Sequence, residues 1–360
     1  MKNTKKKKVA LYDPYLNTMG GGEKHILSIL KVLEDNGFQI EVFWDKGLGE
    51  EILSKLGLRF ENLKFVTNIF SHKNTLSNIF KLKKYEHFFY VTDGSYFFSG
   101  AKNNYVFCMV PKKNLYNLNF LNKLKTRNFD FLANSQFTGN WLKKWHINAE
   151  IIYPYIDELF FAPNSTAKEK IILNVGRFFA HRHSKRQDVA ISWFKDLKQK
   201  YQEFKEYRLV LAGSYLEEDS KYLEELQNMA KEKGDIVFKI NPSYKEIIEL
   251  YHKSKYYWHF AGFEVDEKIN PENTEHLGIT PIESMASGCL TFAYRAGGPK
   301  EIISDNKNGF LFETQEELFG KMLSLQNNKD EIINYAKKYT FENFSYEAFK
   351  KRVEKIILKK

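Results

Sequence analysis

The sequence predicts an α/β protein of two doubly wound, Rossmann-like domains facing each other across a cleft, and three observations predict it. The chain has 360 residues, room for about two domains of ordinary size, each with its own core. Each half alternates short apolar runs with helical patterns, the mark of a parallel sheet covered on both faces. Between the halves, residues 153–170 gather Pro154, Pro163, Asn164 and Ser165, a composition that interrupts regular structure. The expected division is a first domain over 1–160, a second over 168–340 and a closing helix over 341–360.

In chain order, the first half places strands at 9–12, 39–44, 63–66, 87–91, 105–110 and 131–133, with helical patterns such as 23–34 and 136–145 between them. Directly after the first strand, Gly20, Gly21, Gly22 and Glu23 open a helix. Three glycines there allow positive φ and close backbone approach, and the helix N-terminus favours phosphate. The G-x-G-x-x-G spacing of a dinucleotide site is absent, so a plain turn is the competing reading. The second half places strands at 171–175, 208–212, 236–240, 256–260, 290–294 and 310–312, and Ser243 with Glu246 forms a capping box at the start of one of its helices.

The net charge of +10 is unevenly distributed: residues 1–150 hold 23 Lys and Arg against 13 Asp and Glu, and the remainder balances at 32 against 32. A basic first domain points to an anionic partner, namely a membrane surface, an acidic acceptor or a nucleic acid; a surface that serves only solubility is the alternative. Cys108 and Cys289 sit in apolar runs and form neither a disulfide framework nor a metal cluster, as expected of a reducing compartment. The lysine-rich N-terminus lacks an apolar segment behind it, and no run approaches the roughly 18 apolar residues of a membrane span, so a cytoplasmic protein is expected.

Two segments carry the chemistry. In NTEHLGITPIESMASG, residues 273–288, Thr280, Pro281 and Glu283 read as N-cap, N1 and N3 of a helix, whose free N–H groups and partial positive charge suit a diphosphate. Gly278 lets backbone approach the ligand. Glu275 and Glu283 flank this turn, yet the same eight-residue spacing recurs at Glu217/Glu225, Glu264/Glu272 and Glu267/Glu275; read in isolation, Glu283 is equally a capping side chain and Glu275 a solvated carboxylate. In the other segment, Arg177 stands where a strand ends and Lys185 just before a helix. A cation at a helix N-terminus is unfavourable unless an anion lies between them, so the pair fits a diphosphate clamp, with a solvated basic loop as the alternative. His181 and His183 lack the carboxylate or cysteine that would complete a metal site.

The ordered set of GGGE at 20–23, NSQFT at 134–138, YPYID at 153–157, VGRF at 175–178 with Lys185 downstream, EHLGITPIE at 275–283, MASGC, GGPKEII and NGFLF resembles glycosyltransferase family 4 over nearly the whole chain. That resemblance implies a GT-B fold with the donor nucleotide in the second domain, retaining chemistry without a metal or other cofactor, and a closing helix, 344–358, that crosses back to the first domain. It also implies that Arg177 and Lys185 bind the diphosphate of a UDP- or GDP-sugar. Glu275 would meet the sugar hydroxyls and Glu283 the ribose. The backbone of Gly278, Ile279 and Thr280 would lie near sugar and phosphate, and Gly21 and Gly22 would approach the reaction centre. In one respect the sequence departs from the family: many members carry a histidine near a proline at the end of a first-domain strand, where this chain has Met109 before Pro111.

The function expected is transfer of a hexose from a nucleotide sugar to a glycan or lipid-linked acceptor in envelope polysaccharide or glycoconjugate synthesis, at a cytoplasmic membrane face. No D-x-D pair occurs, so cations and helix dipoles are expected to neutralise the leaving diphosphate. The rivals are an epimerase-like enzyme on the same fold, which would need acid and base groups in the cleft, and a basic membrane- or nucleic-acid-binding module. The aromatics fall in core patterns rather than among the basic residues, so no nucleic-acid partner is expected.

Overall fold

A computed structural model describes residues 6–70, 76–162, 167–180, 184–231, 234–325 and 329–359. The chain divides into two compact units, Met1–Pro154 with Phe349–Lys360, and Tyr155–Ala348.

The first unit carries seven strands, β1 Lys8–Tyr12, β2 Gln39–Phe43, β3 Leu63–Val66, β4 His87–Val91, β5 Asn103–Cys108, β6 Phe129–Ala133 and β7 Ala149–Ile151. They form one parallel sheet in the order β3-β2-β1-β4-β5-β6-β7. β4, HFFYV, is buried at every residue, which is why its sequence is a continuous apolar run rather than an alternating one. Rings from neighbouring strands and loops fill one face: Phe70 stacks on Tyr12 at 4.2 Å between centroids and on Phe88 at 5.8 Å. β7 is an edge strand of three half-exposed or exposed residues, Ala-Glu-Ile, and so leaves no hydrophobic run to read.

The chain's last helical turns belong to this unit. Phe349, Val353 and Ile357, four residues apart, are fully buried. Phe349 packs on His25, and the Arg352 guanidinium lies over the Tyr153 ring. The helix Lys329–Phe344 instead stays with the second unit, because the Ile156 N–H donates to the Phe344 carbonyl at 2.9 Å and Tyr155 packs on Tyr346. The unit boundaries therefore fall at Pro154 and Ala348 rather than at 160 and 341.

The second unit carries β8 Glu169–Val175, β9 Arg208–Gly213, β10 Ile236–Ile240, β11 Ser254–His259, β12 Leu290–Tyr294 and β13 Phe310–Phe312, parallel and ordered β10-β9-β8-β11-β12-β13. Trp258, Phe260, Phe292, Phe310 and Phe312 are buried in its core, with the half-buried Trp193 packed against them. The capping box at Ser243 forms: Glu246 accepts the Ser243 N–H at 2.8 Å, and Ser243 Oγ accepts the Glu246 N–H at 3.3 Å. Both cysteines are free and buried. Among the described residues, no helix is long and apolar enough to cross a membrane.

Candidate functional site

In the second sheet the strand order reverses between β8 and β11, and a crevice opens where strands on either side of such a point lead away in opposite directions. β8 delivers Gly176 and Arg177 there and β11 delivers His259. Gly176 has no side chain for a packing reason: a Cβ would collide with the Lys185 stem. Gln187 Nε2 donates to the carbonyls of Gly176 at 3.3 Å and Arg177 at 3.2 Å, tying the strand end to the helix Gln187–Lys200. Arg186, its N-cap at φ 49°, anchors the loop through its guanidinium to Asp188, Glu264 and the Phe263 carbonyl. With the two residues that follow it held, Lys185 directs Nζ onto Glu275 Oε2, to which it donates a hydrogen bond. Arg177 is exposed, its guanidinium stacked 4.2 Å from the centre of the Phe179 ring.

Glu275 is positioned by its backbone. Its carbonyl accepts the Gly298 N–H at 2.7 Å, and Gly297, at φ 61°, lies so close that a Cβ would strike that carbonyl and Thr274 Oγ1. The GGP of the sequence is therefore a cradle for the Glu275 loop. The Glu275 side chain is 18% exposed and has two cationic or polar neighbours, Lys185 and the buried His259, whose Nε2 stands 3.2 Å from the same Oε2 without making a hydrogen bond. Burial alone would raise the Glu275 carboxyl; the Lys185 ammonium, aided by His259, outweighs it and holds the group well below the carboxylate range. Burial pushes the His259 imidazole down, against the pull of Glu275, so it is neutral at neutral pH.

The helix expected to start with Thr280 as N-cap begins two residues earlier. It spans Ile279–Ala286 with Gly278 as N-cap, because Gly278 at φ 102° makes the turn that an L side chain resists. Ile279, Thr280 and Pro281 are N1, N2 and N3, and proline is tolerated in a first turn whose N–H groups lack helical partners. Glu283 then lies at N5, outside capping-box position. It faces Tyr251 and Tyr244 of the helix Tyr244–Lys253, and burial together with the Glu283 charge raises the Tyr251 hydroxyl far above its ordinary range. Tyr257, on β11, feels both Glu283 and Glu275.

The structure thus brings Lys185 and Glu275 together and sets Gly278 and Thr280 on the segment that follows. In the first unit, Gly21 and Gly22 are N1 and N2 of the helix Gly21–Asp35, whose Glu23 accepts the Gly20 N–H at 2.7 Å. Met109 packs against Gly22 so tightly that a Cβ there would meet its sulfur. Met109 lines a concavity of about 280 Å³, with Tyr15, Thr18, Glu23 and Thr92 around it. His181 and His183 lie outside the described residues. The sequence reading missed His259; its signal was a lone histidine ending a strand of otherwise aromatic residues, YYWHF.

Residues 156–339, just over half of the chain, match the family model for glycosyl transferases group 1. The chain is 27% identical over 273 residues to the alpha-1,3/1,6-mannosyltransferase ALG2 of Rhizomucor pusillus, covering 66% of this chain and 59% of that protein. It is 26% identical over 227 residues to the GDP-Man:Man(3)GlcNAc(2)-PP-Dol alpha-1,2-mannosyltransferase of Dictyostelium discoideum, covering 58% and 41%. The matches span less than two thirds of the length of these curated relatives. Among solved structures, Anabaena Alr3699/HepE in complex with UDP and glucose aligns with a TM-score of 0.71 at 15% identity, covering 98% of this chain and all of that one. The fold class is accordingly two-domain GT-B.

Proposed function

Because the chain belongs to the group 1 glycosyl transferases, we propose that it moves a hexose from a nucleoside-diphosphate sugar to a glycan or lipid-linked acceptor, with retention of configuration. The observation that supports this most directly is the meeting of Lys185 and Glu275 beside the ends of β8 and β11: one cation and one carboxylate in a crevice that receives the N-terminus of the Ile279–Ala286 helix. Arg177 and Lys185 bind the diphosphate in this reading, and their charges stabilise it as it leaves. Glu275 accepts hydrogen bonds from sugar hydroxyls, and Glu283 holds the ribose. The cations take the part a metal plays elsewhere, so none is required. The departing phosphate itself helps to deprotonate the acceptor, and no protein base is assigned.

The relatives' printed donor, GDP-Man, makes GDP-mannose the first donor to test, with UDP-glucose beside it. A transferase of this kind gains thermal stability from one nucleotide, whereas a module that binds polyanions responds to heparin or nucleic acid in general. Arg177→Ala and Lys185→Ala should each weaken the preferred nucleoside diphosphate by about 1.5–3 kcal/mol, the worth of a charge-assisted hydrogen bond. Titration calorimetry decides it, and unchanged affinity in both variants removes the clamp. Glu275→Ala should keep free-nucleotide affinity and lose transfer, while Glu283→Ala should lose both.

A membrane setting for the acceptor is the finer part of the proposal. The first unit holds 29 Lys and Arg against 14 Asp and Glu, and the second 26 against 31. On the first, Phe120, 86% exposed, and Leu121, 52% exposed, stand outward on the helix Phe120–Lys125, which also bears Lys123 and Lys125.

A further inference from the structure

We infer that His259 is a positioning residue for Glu275: it retains the sugar-binding carboxylate when Lys185 turns to the donor diphosphate. This rests on the reading of Glu275 as the sugar contact. Three observations carry it. His259 is fully buried at the end of a strand whose other buried residues are serine and aromatics, a place where an apolar side chain would fill the core at lower cost. Its Nε2 has no hydrogen bond, yet it lies 3.2 Å from Glu275 Oε2, so a small rotation of that carboxylate completes one. On the other side of the ring, Nδ1 stands 3.5 Å from the Tyr257 hydroxyl, which can donate to it and leave the proton on Nε2, facing Glu275.

The need for such a residue follows from Lys185. In the structure, the Lys185 ammonium donates a hydrogen bond to Glu275. A diphosphate offers that ammonium a stronger acceptor, and a carboxylate with no second partner would either follow it or swing away from the sugar. His259 holds the carboxylate from behind, from a strand end, while Lys185 moves to phosphate. The imidazole touches no part of the donor in this arrangement; it acts through Glu275.

Binding and turnover together test it, with GDP-mannose against GDP, and UDP-glucose against UDP, as probes. His259→Leu should bind the free nucleoside diphosphate as the wild type does, lose most of the added affinity for the nucleotide sugar, and release nucleoside diphosphate about 100-fold more slowly, the usual effect of a misplaced catalytic contact. His259→Gln, which keeps a donor at similar reach, should recover at least tenfold of that loss. A folded Leu variant with wild-type turnover and sugar preference overturns the inference, as does a Gln variant as impaired as Leu. If the Leu variant does not fold, Gln decides alone: unchanged nucleoside diphosphate affinity with a modest loss of turnover supports the inference, and parallel loss of both overturns it. Glu275→Ala separates the two readings. If it keeps wild-type sugar preference, the assignment of Glu275 fails; if it loses that preference while His259→Leu keeps it, only the role of His259 fails.

Discussion

Asp13, one residue beyond β1, is completely buried, and only one of its carboxylate oxygens has a partner, the Tyr15 N–H at 2.9 Å; Oδ2 has none. Burial, opposed by that bond and reinforced by the Glu23 charge, pushes its carboxyl up to about 7 from an ordinary 3.8. The native state therefore keeps a proton between about pH 4 and 7 that the unfolded chain has lost, and stability falls as pH rises through that window by about 1.4 kcal/mol per unit. The buried imidazoles of His25, pushed down to about 3, and His87, to about 4, run the other way: each costs stability as pH falls below about 6.5, because the unfolded chain takes up a proton that the native state refuses. The wild-type profile mixes these slopes, and the difference between wild type and Asp13→Asn isolates one of them. The Asn variant should gain on wild type by about 3 kcal/mol between pH 4.5 and pH 8 in urea unfolding of the first unit. A difference that is the same at both pH values rules out a neutral Asp13.

At the scale of elements, the loops at strand ends set the site, and two glycines show how differently the same residue is used. Gly297, at φ 61° with no room for a Cβ against the Glu275 carbonyl, is required by both conformation and space. Gly320, inside the helix Gln315–Leu323, has nothing within 4 Å of a Cβ. Gly297→Ala should cost about 1–3 kcal/mol and displace the loop bearing Glu275, lowering nucleotide-sugar affinity. Gly320→Ala should add about 0.4–1 kcal/mol and leave binding untouched. Melting curves with and without donor measure both, and a Gly297→Ala protein that melts and binds like wild type would discard the cradle. The strands were legible because buried parallel strands such as HFFYV are continuous apolar runs. The edge strand Ala149–Ile151 was not, having no buried residue to mark it. Thr280-Pro281-Ile282-Glu283 carries every local sign of a capped start, but the chain turns at Gly278, where backbone conformation decides and side-chain pattern is silent. Lys185 and Glu275 could be named separately from strand ends and helix starts. Their ion pair, across 90 residues, and the imidazole behind it depend on the packing of β8 against β11, which no local spacing encodes.

At the scale of the whole molecule, charge is divided by unit: +15 on Met1–Pro154 with Phe349–Lys360, and −5 on Tyr155–Ala348. The closing segment adds to the contrast, since Lys350, Lys351, Arg352, Lys355 and Lys359 fold onto the unit that is already basic. In the proposed membrane setting, such a surface would gain about 1 kcal/mol for each cation near an anionic bilayer. The exposure of Phe120 and Leu121 removes the alternative that they form the inner face of their helix, and gives the charged surface apolar groups that can enter the headgroup layer. Binding to vesicles rich in anionic lipid should be strong at low ionic strength and fall steeply between 0.1 and 1 M salt, as the Debye length shrinks from about 10 Å to about 3 Å. Phe120→Ser with Leu121→Ser should weaken binding at every salt concentration without changing its salt slope, because apolar insertion is not screened, whereas Lys123→Gln with Lys125→Gln should flatten the slope. Co-sedimentation of the three proteins with anionic and with neutral vesicles separates the outcomes. Equal binding to both vesicle types, or to neither, would leave the basic unit as a surface for a soluble acidic acceptor.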